Sequence, residues 1–151
     1  MAPRAACIVR RAGVKFVSAQ AETFPARLEA FERIVAFVER VCAGAGIPRD
    51  AWLRVVLVVE ELFVNTVLHG HGTDSDAPVR LSLDPQPRAI HVTYEDRAPG
   101  FDPSAGAADA GDPQERAPGG LGLVLVRRLS RDLVYSRAGD ANRITFVIAC
   151  S

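Results

Sequence analysis

The sequence predicts an α+β domain with antiparallel strands in one layer and helices stacked on one face. Three observations carry that prediction. Short segments with a period of two come in adjacent pairs joined by turn residues. Longer segments repeat their apolar residues at the helical period. The length, 151 residues with 48% hydrophobic, gives room for one domain with a real core.

The elements follow in order. Ala6 to Arg10 and Val14 to Ala19 are short strand candidates around Gly13, a hairpin turn. Thr23 predicts a helix start, with Pro25 in its first turn. Leu28, Phe31, Ile34, Val35, Val38 and Val41 keep the helical period, and Gly44 and Gly46 end it. A second helix runs from Pro48 to about His69 and stops at Gly70. Its apolar residues lie nearly all round, so it is expected to be buried on most sides. Val79 to Leu83 and Ala89 to Glu95 alternate as strands, joined by Asp84, Pro85, Gln86 and Pro87. From Arg97 to Gly120 no periodicity survives in a stretch rich in Gly, Pro, Ala and Asp. A loop that long suits a lid or a binding loop. Leu121 to Leu129 predicts a helix that starts directly from glycines. Asp132 to Arg137 and Arg143 to Ala149 close the chain as a hairpin around Gly139, Asp140 and Ala141.

Charge and targeting signals exclude several classes. Eighteen Lys+Arg balance eighteen Asp+Glu, so the basic footprint of a nucleic-acid binder is missing. The basic side is almost all arginine, and Lys15 is the only lysine. A P-loop or Schiff-base mechanism would have to use that residue. Met1 to Arg11 is charged and broken by Pro3, which predicts no secretory signal. The longest apolar run, Val55 to Val59, is far too short for a membrane span. Cys7, Cys42 and Cys150 are odd in number and lack a metal spacing, so free thiols in a reducing cytoplasm are expected. His71 and His91 have no supporting pattern, and no His/Cys cluster suggests zinc. Arg127, Arg128 and Arg131 suit a solvated helix face or a meeting with an acidic partner.

Three places carry chemistry. Glu61, Asn65 and His69 are spaced by four on the second helix and share one face. On a greasy helix such a polar stripe needs a reason; the plain alternative is a solvent face. Next, a strand ends at Asp96 and turns through Gly100 in Asp96-Arg97-Ala98-Pro99-Gly100-Phe101-Asp102-Pro103. A carboxylate there can accept from an exocyclic amine, and a glycine lets a flat ring approach the backbone; an ordinary turn is the alternative. Last, Gly119-Gly120-Leu121-Gly122-Leu123 opens a helix. Its free N–H groups and dipole hold phosphate without lysine, unless the glycines are only a hinge.

The joint order is more specific: E-x-x-x-N on a helix, D-x-x-x-G-F-D-P after a strand, G-x-G-L before a helix. It resembles the ATP-binding module of the gyrase, Hsp90, histidine-kinase and MutL (GHKL, Bergerat-fold) families. Within it the chain looks most like the anti-sigma-factor serine kinases of bacterial partner-switching systems. Glu60-Glu61-Leu62-Phe63-Val64-Asn65-Thr66-Val67-Leu68-His69-Gly70 resembles that family's N box down to the His-Gly.

The resemblance implies a two-layer α/β sandwich, a mixed but mostly antiparallel sheet with three helices on one face, as one ATP-binding domain over 1–151. It implies ATP and Mg²⁺ as cofactors, Glu61 as general base and Asn65 as metal ligand. Asp96 would bind the adenine amine with Gly100 beside the base, and Gly120, Leu121 and Gly122 would border the phosphates. Residues 102–119 would form the ATP lid, with Arg116 the nearest cation for the γ-phosphate. The implied partners are a small STAS-type antagonist as substrate, a sigma factor or equivalent regulator, and a second copy in a homodimer. No direct contact with nucleic acid or membrane is implied, and the location is cytoplasmic.

Two departures stand out. Ala98 replaces the first glycine of the family's D-x-G-x-G pattern, and Arg116 is displaced from the second glycine motif by Ala117-Pro118-Gly119. Two rivals therefore remain: a nucleotide-sensing binding module with little kinase activity, and a histidine-kinase-type catalytic domain working in trans. His69 fits a helix C-terminal cap as well as a catalytic role.

Overall fold

The computed structural model describes residues 17–100 and 120–150. Five strands form one antiparallel sheet: β1 Gln20–Pro25, β2 Pro78–Gln86, β3 Ala89–Asp96, β4 Arg131–Ala138 and β5 Ala141–Ala149. Their spatial order is β1-β2-β3-β5-β4. The helices are α1 Phe31–Gly44, α2 Arg49–Val64 and α3 Gly120–Leu129. This is the expected α+β architecture, and every described strand pairing is antiparallel.

Period-two patterning puts one face of the sheet inside. Val79, Leu81 and Leu83 of β2 meet Ile90, Val92 and Tyr94 of β3 and Ile144, Phe146 and Ile148 of β5 in one core. The helices close that core with Ile34, Phe37 and Val38 from α1 and Val55, Val58, Val59 and Phe63 from α2. The phase of β3 and β5 also brings Asp96 and Asn142 to the inner side, so two polar groups enter the core layer by register alone. The β2–β3 and β4–β5 turns are two residues each, Pro87-Arg88 and Gly139-Asp140, and Gly139 has φ 61°.

The helix expected to start at Thr23 starts later. Thr23 and Pro25 lie in β1, with Pro25 opposite Pro78 at the end of the ladder. Neither proline needs to donate there. A 3-10 turn, Leu28–Ala30, then leads into α1. Its cap comes from far along the chain: the Leu28 N–H donates to Asp74 Oδ1 at 2.9 Å. Arg27 Nε donates to Asp76 Oδ1 at 2.8 Å, tying the same loop to the end of β1. The strand candidate at Ala6 to Arg10 lies outside the described residues, and residues 17–19 of the next one form no strand.

α2 lies between α1 and α3 over the sheet. Its inner side is buried as expected, but its outer flank is open: Leu53 is 38% and Leu57 42% exposed. No helix of the described residues is long and apolar enough to cross a membrane. Burial pushes the Cys42 thiol, deep in the core, up to about 12, so it stays an inert packing group.

Candidate nucleotide site

The second helix does not run evenly to its end. After Val64 it continues as a π-helix, Asn65–His71, closed by Gly72 at φ 79°. Such wide turns often mark functional sites. This one faces the end of β3. A Cβ on Gly70 would fall 2.5 Å from the Ala98 Cβ, so a bare glycine is what lets the two segments touch. Ala98, where the resembled pattern has glycine, is accommodated by Gly70 across the gap.

Between them opens a cavity of about 170 Å³. Asn65, Thr66 and His69 line it from the helix, Asp96, Ala98 and Gly100 from the strand end, and Asn142 from β5. The structure thus brings Asn65 and His69 of the helix motif together with Asp96 and Gly100 of the strand-end motif. Glu61 is half-buried one turn before Asn65 and is not part of the cavity wall. Gly120, Leu121 and Gly122 form the first turn of α3. Arg116, Lys15, Cys7 and the expected lid lie outside the described residues.

Asp96 is 8% exposed and fully engaged on its protein side. Oδ1 accepts from the Ala98 N–H at 2.9 Å and from Asn142 Nδ2 at 2.8 Å. Oδ2 accepts from the Thr66 hydroxyl at 2.8 Å. Since a carboxylate oxygen has two lone-pair sites, Oδ1 is filled and Oδ2 keeps one for a donor in the cavity. That site is open to a hydrogen-bond donor on a ligand in the cavity.

Behind Asp96 stands a hydrogen-bonded scaffold. Asn142 Nδ2 also donates to the Ala98 carbonyl at 2.8 Å, and its Oδ1 accepts from Tyr135 at 2.7 Å and Arg137 Nη1 at 2.8 Å. Arg137 Nη1 reaches the Ala98 carbonyl too, at 3.1 Å. Gly100 fits tightly here: a Cβ would come within 3.3 Å of Arg137 and of the Tyr135 hydroxyl. Its bareness serves the β4 side chains as well as the cavity. Thr66 contacts Tyr94 at 2.7 Å and the Leu62 carbonyl at 3.0 Å. Burial pushes the Tyr94 phenol well above its ordinary value, so it remains a hydroxyl donor.

Thr66, Tyr94, Tyr135, Arg137 and Asn142 were not singled out from sequence. The available signal was phase. Asn142 alternates with Ile144, Phe146 and Ile148, Tyr94 with Ile90 and Val92, and Thr66 sits one turn from Leu62 on the core side of the helix.

Asn65 is the opposite case. It is 8% exposed, yet its Nδ2 has no hydrogen-bond partner. A buried amide left unpaired costs about 1–3 kcal/mol. Asn65 also borders the cavity, and its Oδ1 suits a hard cation there. Among the described residues no group of three His, Cys, Asp or Glu side chains is placed to hold a metal alone. The site therefore fits Mg²⁺ that takes most of its ligands from phosphate and water.

No curated protein matches the chain. Among solved structures it is similar to the RsbU and RsbW domains of Rv1364c from Mycobacterium tuberculosis, with TM-score 0.63 and 15% identity over 89% of this chain. It is also similar to the Erythrobacter litoralis EL346 blue-light activated histidine kinase, with TM-score 0.51 and 21% identity over 85% of this chain. The chain spans 33% of the first structure's length and 42% of the second's, and the likeness is one of fold. Residues 24–148 match the histidine kinase-like ATPase domain. That match runs from β1 through both sides of the cavity to β5, and the chain belongs to the histidine kinase-like ATPase family.

Proposed function

We propose that this chain is an ATP-dependent serine protein kinase that doubles as an anti-sigma factor. It phosphorylates a small STAS-type antagonist and, when unphosphorylated antagonist is scarce, holds a sigma factor or similar regulator as a homodimer. One observation carries the nucleotide part: a single cavity holds Asp96 with one lone-pair site left and Asn65 buried with Nδ2 unpaired.

The base enters beside Ala98 and Gly100 and donates its amine to Asp96 Oδ2. Asn65 would hold Mg²⁺, which would supply charge neutralisation at the phosphates. Backbone N–H groups of Gly120 to Gly122, at the N-terminus of α3, support the phosphates without lysine. Glu61 takes the proton from the acceptor serine as its oxygen bonds to the γ-phosphorus, and the bond to the bridging oxygen breaks to release ADP.

A second reading has its own support. Glu61 stands outside the cavity wall, which suits a nucleotide-sensing protein-binding module with little turnover. Labelling with γ-phosphate-labelled ATP, using the small proteins encoded beside this gene, separates the two. Wild type labels one of them on serine, and Glu61→Ala lowers transfer by about 10²–10⁴-fold while ATP binding stays within about twofold. Binding of a partner with no labelling overturns the kinase reading. An acid-labile product would instead mean transfer to histidine.

A further inference from the structure

We infer that Tyr94 and Thr66 form a buried hydroxyl relay that locks Asp96 as an acceptor and so sets the base preference of the cavity, a role that rests on the nucleotide reading above. The relay follows from counting protons. The Tyr94 hydroxyl is buried, and Thr66 Oγ1, 2.7 Å away, is its one hydrogen-bond partner among the described residues. A buried hydroxyl has to place its proton, so Tyr94 donates to Thr66. Thr66 has one proton of its own and two acceptors in reach, the Leu62 carbonyl at 3.0 Å and Asp96 Oδ2 at 2.8 Å. Leu62 O also belongs to the helix ladder, where a threonine hydroxyl adds only a back-bond. A carboxylate oxygen at 2.8 Å without a proton between would face two sets of lone pairs. The proton therefore sits on the Asp96 side, and the relay runs Tyr94 to Thr66 to Asp96.

Polarity is thereby fixed from the core outward. Asp96 Oδ1 is filled by Ala98 and Asn142, and Oδ2 is pinned by Thr66, so the cavity meets an acceptor held in one orientation. A 6-amino purine satisfies it. A 6-oxo purine sets a carbonyl against it, and the two acceptors repel. Without the Thr66 hydroxyl, Oδ2 loses its fixed donor and Asp96 is held through Oδ1 alone. Tyr94 and Thr66 are thus positioning residues: Thr66, which also borders the cavity, holds the aspartate, and Tyr94 acts through Thr66.

Calorimetric titration of the full chain with Mg-ADP and Mg-IDP tests this, since the two ligands differ at the purine 6-position. Wild type should prefer ADP. Thr66→Val should narrow the ADP:IDP ratio by about tenfold, Tyr94→Phe by about threefold, and Thr66→Ser should restore it. A ratio unchanged in Thr66→Val, with circular dichroism showing the fold intact, overturns the relay while leaving nucleotide binding standing. If Thr66→Val does not fold, an unchanged ratio in Tyr94→Phe overturns it equally. Wild type that binds neither ligand overturns the nucleotide reading and the relay together.

Discussion

Two asparagines border the same cavity and differ in every other respect. Asn142, on β5, uses both amide protons and both carbonyl lone pairs on Asp96, Ala98, Tyr135 and Arg137. Asn65, at the turn into the π-helix, is 8% exposed against 3% for Asn142 and leaves Nδ2 unpaired. The base end of the site is a finished polar network whose job is rigidity. The Asn65 end, where the proposed function sets the phosphates, carries an unpaired amide at a cost in stability.

Stability separates the two most clearly. Asn142→Ala strips one donor each from Asp96 and the Ala98 carbonyl and leaves Tyr135 without its acceptor, while Arg137 keeps only the Ala98 carbonyl, so it should cost about 2–3 kcal/mol in urea unfolding of the apo protein. Asn65→Ala should be neutral or stabilising by up to about 1 kcal/mol, because it removes an unsatisfied group. The order reverses for ligand: in Asn65→Ala, EDTA should no longer weaken ATP binding, whereas the Mg²⁺ effect should persist in Asn142→Ala. Equal destabilisation by the two alanines would remove the contrast.

The contact between the helix end and β3 gives a smaller effect. Gly70→Ala drives a Cβ to 2.5 Å from that of Ala98 and should cost about 1–3 kcal/mol. Adding Ala98→Gly should return most of it, an interaction energy that a double-mutant cycle measures directly. Additive single effects would mean that the two residues do not share the gap.

Much of this was legible in the chain because period and turn chemistry are local. The four strands from Val79 onward, the three helices and the residues Asn65, Asp96 and Gly100 could all be placed from spacing. What was not legible came from elsewhere in the chain. Thr23 and Pro25 resembled a helix start, but the cap that counts is Asp74, forty-six residues from Leu28. The π-helix continues directly from the α-helix before it, and no residue type in Asn65–His71 marks where the turns widen. Tyr94 and Thr66 look like ordinary strand and helix residues until the register sets them beside Asp96.

The central claim is that this cavity binds an adenine nucleotide through the acceptor at Asp96. Equilibrium titration of wild type and Asp96→Asn with Mg-ATP tests it most directly. The account predicts saturable one-to-one binding by wild type and a loss of about a hundredfold in Asp96→Asn, because the amide gives up the charged acceptor and turns a donor toward Asn142, Ala98 or the base. Wild type that does not bind, or an Asp96→Asn protein that binds as tightly as wild type, would contradict it.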